Sequence, residues 1–340
     1  AVSRAMRDAV AATGLQFEEL QEREAVELGC FSALKRLNRQ GRLSRKELVC
    51  ETAARTGQRE ELKLLRADGW PWDCRTCASA AKGGQLEVIQ WARANDCPWN
   101  MNTCREAARG GHLEVLQWLR ANGCPCDENV CHGAAEGGHL EVLHWAHANG
   151  CSWDGYTCAM AAQGGYLEVL QWLRANGCPW DEDTCSEAAY GGRLDMLQWA
   201  RANGCPWVED TCFRAASGGH LEMLQWLRAN GCPWDERTCS GAAYGGRLDM
   251  LQWAHAHGCP WDERTCWLAA LGGHLEVLQW ARANGCPWDE KAILFAAQNG
   301  HETVVRALIE AGADINKATD NGGTPLFMAA QRATRLWCGR

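Results

Sequence analysis

Between residues 70 and 285 the apolar and polar positions fall into a block that recurs every 27 residues. One copy, residues 232–258, reads CPWDERTCSGAAYGGRLDMLQWAHAHG. Asp235 is of a type that caps helix N-termini, and Glu236 follows in the first turn, where negative charge is favoured. The spacing predicts a short helix through Ala242 and Ala243 that stops at Gly245-Gly246. A second apolar stripe, Leu248, Met250, Leu251 and Ala254, predicts a helix over about 248 to 256. Gly258 is placed to end it in a left-handed cap, and Pro260 keeps the following chain extended. Each block is therefore a helix-turn-helix. Alone it cannot bury its apolar face, whereas a stack of blocks builds a continuous core.

The period is marked by columns of unusual residues. One cysteine column runs from Cys97 through Cys124 to Cys286 and a second from Cys50 through Cys77 to Cys266, both in steps of 27. Trp91 to Trp280 form a third column in the same step. From Cys77 on, each second-column cysteine is followed 20 residues later by a first-column one, as in Cys77/Cys97 and Cys239/Cys259. The organisation read from this is an N-terminal capping helix over 1–14, divergent repeats over 15–69, regular repeats over 70–285 and a different repeat type over 286–340. Ser44 to Glu47 offer a capping box for the helix that holds Cys50.

Composition narrows the function. The chain has 340 residues, of which 46% are hydrophobic and 22% charged, and no run nears the ~20 apolar residues of a membrane span. No signal peptide is visible, and the initial Ala1 points to a piece of a longer chain. With 34 basic against 42 acidic residues, the net charge of -8 argues against nucleic acid as a partner. No membrane partner is expected, and a cytoplasmic or nuclear location is. Nucleophile elbow, phosphate loop, dinucleotide loop and metalloprotease helix are all missing, so no catalytic residue is assigned.

Residues 299–330, NGHETVVRALIEAGADINKATDNGGTPLFMAA, resemble the ankyrin repeat in their Gly-His turn, GAD-N loop and TPL-x-x-AA helix. The family period is about 33 residues. The shorter units resemble ankyrin units that lack six residues where the family forms a β-hairpin finger. The resemblance implies an all-α, right-handed solenoid of stacked helix-turn-helix repeats, mostly without fingers. It also implies a non-enzymatic protein–protein interaction scaffold, a monomeric array whose partner is a protein. The histidines of Gly-Gly-His (His112, His139, His220, His274) would stabilise turns, as in the family.

Aligned on the Ala-Ala pair, Cys239 stands where the last units have Ile293 and Leu326, Cys232 at Ala313, and Trp234 at Ile315. These apolar counterparts favour packed thiols over disulfides or a metal. A structural zinc needs four ligands, and each unit offers two thiols. No cofactor is expected. A thiol-rich metal-binding or redox module is the alternative function. Cys30, Cys74, Cys126 and Cys338 fall off the pattern, and the total of 21 is odd. The tryptophans are expected to form an aromatic core spine, partly exposed on the second helix, each ring burying about 150–250 Å².

Between units, variation concentrates in the first helix, just before and after Ala-Ala. In ankyrin stacks this helix lines the concave face. The candidate partner-binding residues are accordingly Arg105, Glu106 and Arg109; His132 and Glu136; Met160 and Gln163; Glu187 and Tyr190; Phe213 and Arg214; and Tyr244. In the last units the same columns turn apolar, with Trp267, Leu268 and Leu271, then Leu294 and Phe295, then Phe327 and Met328. Such a cluster suggests a docking patch. Acidic pairs such as Asp235-Glu236 line one edge, where first-turn capping is the simpler role.

Overall fold

A computed structural model describes residues 21–314 and residue 324. Among them are 22 helices and no strand. The expected capping helix at 1–14 and most of the last unit lie outside the described residues.

The regular blocks fold as their pattern predicts. Block 232–258 forms helices Glu236–Tyr244 and Leu248–Ala256. The Asp235 side chain caps the first by accepting from the Arg237 N–H at 3.0 Å. Asp73, Asp181, Asp262 and Asp289 cap their helices in the same way, so the acidic edge is built into the helix starts. Gly246 turns the chain between the helices at a φ of +69°. A Cβ there would fall 2.5 Å from the His274 ring of the next unit, so the position needs glycine twice over. The expected box at Ser44 does not form. Lys46 precedes helix Glu47–Arg55 without a side-chain cap. Ser44 instead donates its hydroxyl to Glu22 at 2.7 Å, because the preceding unit presents a carboxylate there.

The described chain forms two compact bodies, one of residues 21–161 with 168–178 and one of residues 162–167 with 179–314. Within each, first helices pack against the first helices of adjacent units, while second helices pack mainly on their own first helix. The core is the paired alanines (Ala107/Ala108, Ala242/Ala243), the second-helix stripes and the cysteine columns, nearly all fully buried. The Gly-Gly-His histidines tie neighbours together: His112 Nε2 lies 3.0 Å from the Lys82 carbonyl, and His274 Nε2 3.0 Å from that of Tyr244.

All described cysteines are free. Those of the first column do more than fill space. Seven of them donate Sγ–H to the carbonyl of the residue 24 positions earlier, at 3.3 to 3.7 Å. That residue opens the first helix of the same hairpin (Asp235 for Cys259). The weak thiol donor thus fastens the chain leaving the hairpin to the chain entering it. Alanine, the ankyrin-like counterpart, cannot make this bond.

Candidate functional site

The variable first-helix residues meet their counterparts in the next unit and form polar rows. In the first body Glu136 accepts from Arg105 at 3.1 Å and pairs with Arg109 at 2.8 Å. Glu106 lies 3.9 Å from Arg109 and 3.7 Å from Lys82. His132 does not project outward. It is 7% exposed, its Nε2 sits 2.9 Å from Asp154, and its ring meets Tyr156 edge-on at 5.0 Å. Burial works against the Asp154 carboxylate, but the His132 and Thr157 contacts together outweigh it and hold the group below its ordinary value. Met160 is also buried.

The second body carries a row of the same kind. Gln163 donates to Glu187 at 3.0 Å, and Arg214 pairs with Glu187 at 3.6 Å and Asp210 at 3.2 Å. The Arg214 guanidinium lies 5.9 Å from the Tyr190 ring. Burial pushes the Glu187 carboxyl up, with Arg214 opposing. Arg237 extends the row by bridging Asp210 and Asp235. Phe213 is half-buried, packed where Gly241 leaves room, whereas Tyr190 and Tyr244 are exposed. The row then turns apolar: Trp267 and Phe295 pack at 5.1 Å between centroids, with Leu268 and Leu271 half-buried and Leu294 buried. Phe327 and Met328 lie outside the described residues. Ion pairs of this exposure contribute about 0–1 kcal/mol each, so they orient side chains more than they stabilise the stack.

Among the described residues no group of three or more His, Cys, Asp or Glu is arranged to hold a metal ion. No described helix is long and apolar enough to cross a membrane.

A family model of ankyrin repeats in three copies matches residues 266–338, and one of ankyrin repeats in many copies matches residues 212–255. Over these residues the chain matches the ankyrin repeat family. Ankyrin repeats are generally protein–protein interaction modules. Among 306 solved chains that match is the ankyrin repeat domain of human ASB11. It is 17% identical over 54% of this chain and 97% of its own, with a TM-score of 0.41. No curated protein sequence matches.

The repeat units carry a tryptophan ridge that the expected core spine misplaced. Both columns are half-buried, not core. The loop tryptophan meets the helix-two tryptophan 19 residues on in T-shaped contact, as in Trp99–Trp118 at 6.0 Å and Trp234–Trp253 at 6.0 Å. A cation from the preceding second helix covers the loop ring: Arg93 lies 4.1 Å above Trp99, and Arg228 4.4 Å above Trp234. His147 and His255 stack on Trp153 and Trp261 in the same place. A guanidinium stacks on the ring through its weakly hydrated face and keeps its charged edge in water, which holds the stack at the surface.

One repeat unit breaks the ridge. Cys126 stands two residues after Cys124, where Trp99 follows Cys97. Arg120, with no ring to cover, lies 5.6 Å from Trp145 and donates to the Asn149 carbonyl at 2.9 Å. The only signal in the sequence was a cysteine off the period.

Proposed function

We propose that this chain is a non-enzymatic scaffold that holds a protein partner on its first-helix face. The observation that carries the reading is the pairing of the variable residues across units on an otherwise constant framework. Arg105, Arg109, Glu106 and Glu136 form one patterned polar row, and Gln163, Glu187, Arg214 and Tyr190 another. A partner docking there meets fixed donors and acceptors and pays little entropy to order them. The apolar stretch at Trp267, Leu268, Leu271 and Phe295 supplies the anchor, since aromatic contacts dominate interface energetics. A core rich in reduced thiols suits a reducing compartment, cytoplasmic or nuclear.

The test is affinity capture from native lysate with the wild-type chain and with the double variant Leu268→Asp/Phe295→Asp. The captured partner is then titrated against both purified chains. Loss of two such anchors is expected to weaken binding by about 30-fold or more, with circular dichroism unchanged. Undiminished affinity in the variant overturns the reading.

A further inference from the structure

In the regular units the thiol pair is roofed by rings. Cys77 and Cys97 pack with Ala92 beneath Trp72, Trp91 and Trp99, and both thiols are fully buried. One unit later the roof is incomplete, because Cys126 replaces the tryptophan that would lie over Cys104 and Cys124. A cleft of about 320 Å³ opens there, lined by Arg120, Cys124, Cys126, Asp127, Asn149 and Cys151. Cys126 and Cys151 are half-exposed, while Cys104 lies fully buried below. Cys151, in its turn, does not make the carbonyl bond of its column; Arg120 Nη1 reaches its Sγ at 3.8 Å. Four thiols and a guanidinium thus gather at a solvent-open gap.

The thiols are not equivalent. The neighbouring Cys124 and Cys126 sulfurs, with burial, push the Cys104 thiol up, so Cys104 keeps its proton. The neighbouring Cys104 thiol and the field of Arg120 hold Cys126 below the ordinary thiol value against burial and Asp127. Cys151 is pushed up by burial despite Arg120. An accessible thiol at a gap, beside a buried thiol that holds its proton, is the arrangement of a peroxide-reactive pair.

We infer that Cys126 is an oxidisable thiol whose substrate is hydrogen peroxide, and that Cys104 resolves the product as a disulfide. The Cys126 thiolate attacks one peroxide oxygen and the O–O bond breaks. Sulfur gives up two electrons to become the sulfenic acid, and the departing hydroxide takes a proton to leave as water. The Cys104 sulfur then attacks the Cys126 sulfur. The S–S bond forms, the S–O bond breaks, and the hydroxyl leaves with the Cys104 proton as a second water. Of the other i, i+20 pairs, Cys131/Cys151 has an open thiol, but burial pushes Cys151 up; pairs such as Cys239/Cys259 have no open thiol to start this sequence.

The experiment uses the full chain, reduced, with alkylation rates read by peptide mapping before and after stoichiometric hydrogen peroxide. Cys126 is expected to be alkylated about tenfold faster at neutral pH than Cys74 or Cys151, the other half-exposed thiols. Peroxide is expected to yield a Cys104–Cys126 disulfide that dithiothreitol reverses, and Cys104→Ser to leave a dimedone-reactive Cys126. Cys126→Trp restores the residue of the regular units and serves as the variant that keeps the fold; it is expected to abolish the disulfide. Equal alkylation of Cys126 and Cys74 overturns the proposal, as does a peroxide-induced disulfide that persists in Cys126→Trp. A Cys124–Cys126 bond overturns the assignment of Cys104.

Discussion

At Trp234 the ridge is closed, with the Arg228 cation 4.4 Å above the ring and the Trp253 ring against its edge at 6.0 Å. Beneath it Cys232 and Cys239 are fully buried and Cys232 bonds the Val208 carbonyl. At Cys126 the same frame is open. Arg120 has moved onto backbone and sulfur, and Trp145 has lost the partner ring that its column has elsewhere. The difference is one side chain, yet it changes what the cysteines beneath can do. The ridge has two effects: it stabilises each hairpin, and it keeps the thiols inert by roofing them.

If that is right, a ring removed from a closed unit costs more than one removed from the open unit. Trp253→Ala deletes a ring with a full partner set, and a loss of about 3 kcal/mol is expected, the low end for a large aromatic because the ring is half-exposed. Trp145→Ala, where the partner ring is already missing, is expected to cost about 1–2 kcal/mol. Urea unfolding of both variants checks the difference. Equal costs dissolve the comparison.

The hairpins and the cysteine columns were legible because a fixed period repeats nearly every local signal eight times over: cap, alanine pair, glycine turn, stripe. What the period could not give was depth. A tryptophan column reads the same whether it lies in a core or along a surface; the cation six residues before it decides, and arginine there looked like an ordinary last-turn residue. The candidate binding residues were harder still. Arg105 and Glu136 are 31 positions apart in sequence and 3.1 Å apart in space. His132 was expected to face a partner, but its column is partly the seam between first helices. Gly133 marks that seam, since a Cβ there would fall 2.4 Å from the Arg105 carbonyl oxygen. Helices that close hold the neighbouring side chain inside, where His132 finds Asp154. The capping box at Ser44 failed for a related reason, a carboxylate from the previous unit that no local rule contains.

The second way to sharpen the comparison is alkaline pH. Cys131, fully buried five residues after Cys126, is pushed up to about 12 by burial, with Cys151 and Asp154 adding to the shift. Its folded value exceeds its unfolded one, so its contribution is complete below the unfolded thiol value and is lost as pH rises toward the folded one. Stability should therefore fall between about pH 9 and pH 12, by about 1–2 kcal/mol from this thiol at pH 10.5. Cys131→Ala is expected to flatten that fall, and Cys126→Ser not to flatten it, because the open thiol is held below its ordinary value and contributes no alkaline loss. Chemical denaturation at pH 8 and pH 10.5 measures both; a slope that responds to Cys126 and not to Cys131 reverses the assignment of closed and open sites.

The smallest expected effect is the most direct. Cys126→Trp puts a ring into the gap where Arg120 and Trp145 would flank it. An edge-on contact with Trp145 contributes about 0.5–1.5 kcal/mol beyond area burial, and a covering guanidinium about 0.5–1. Against this stand the Arg120 bond to the Asn149 carbonyl, which the side chain must leave, and any overpacking. The cleft of about 320 Å³ makes overpacking mild, so a net gain of about 1 kcal/mol is expected. A higher urea midpoint, with Arg120 protected from modification by phenylglyoxal, would mean that the ring and the thiol are alternative occupants of one place. A lower midpoint would mean that the backbone around Cys126 has settled into its own geometry, and that the open unit is not a regular unit missing a ring.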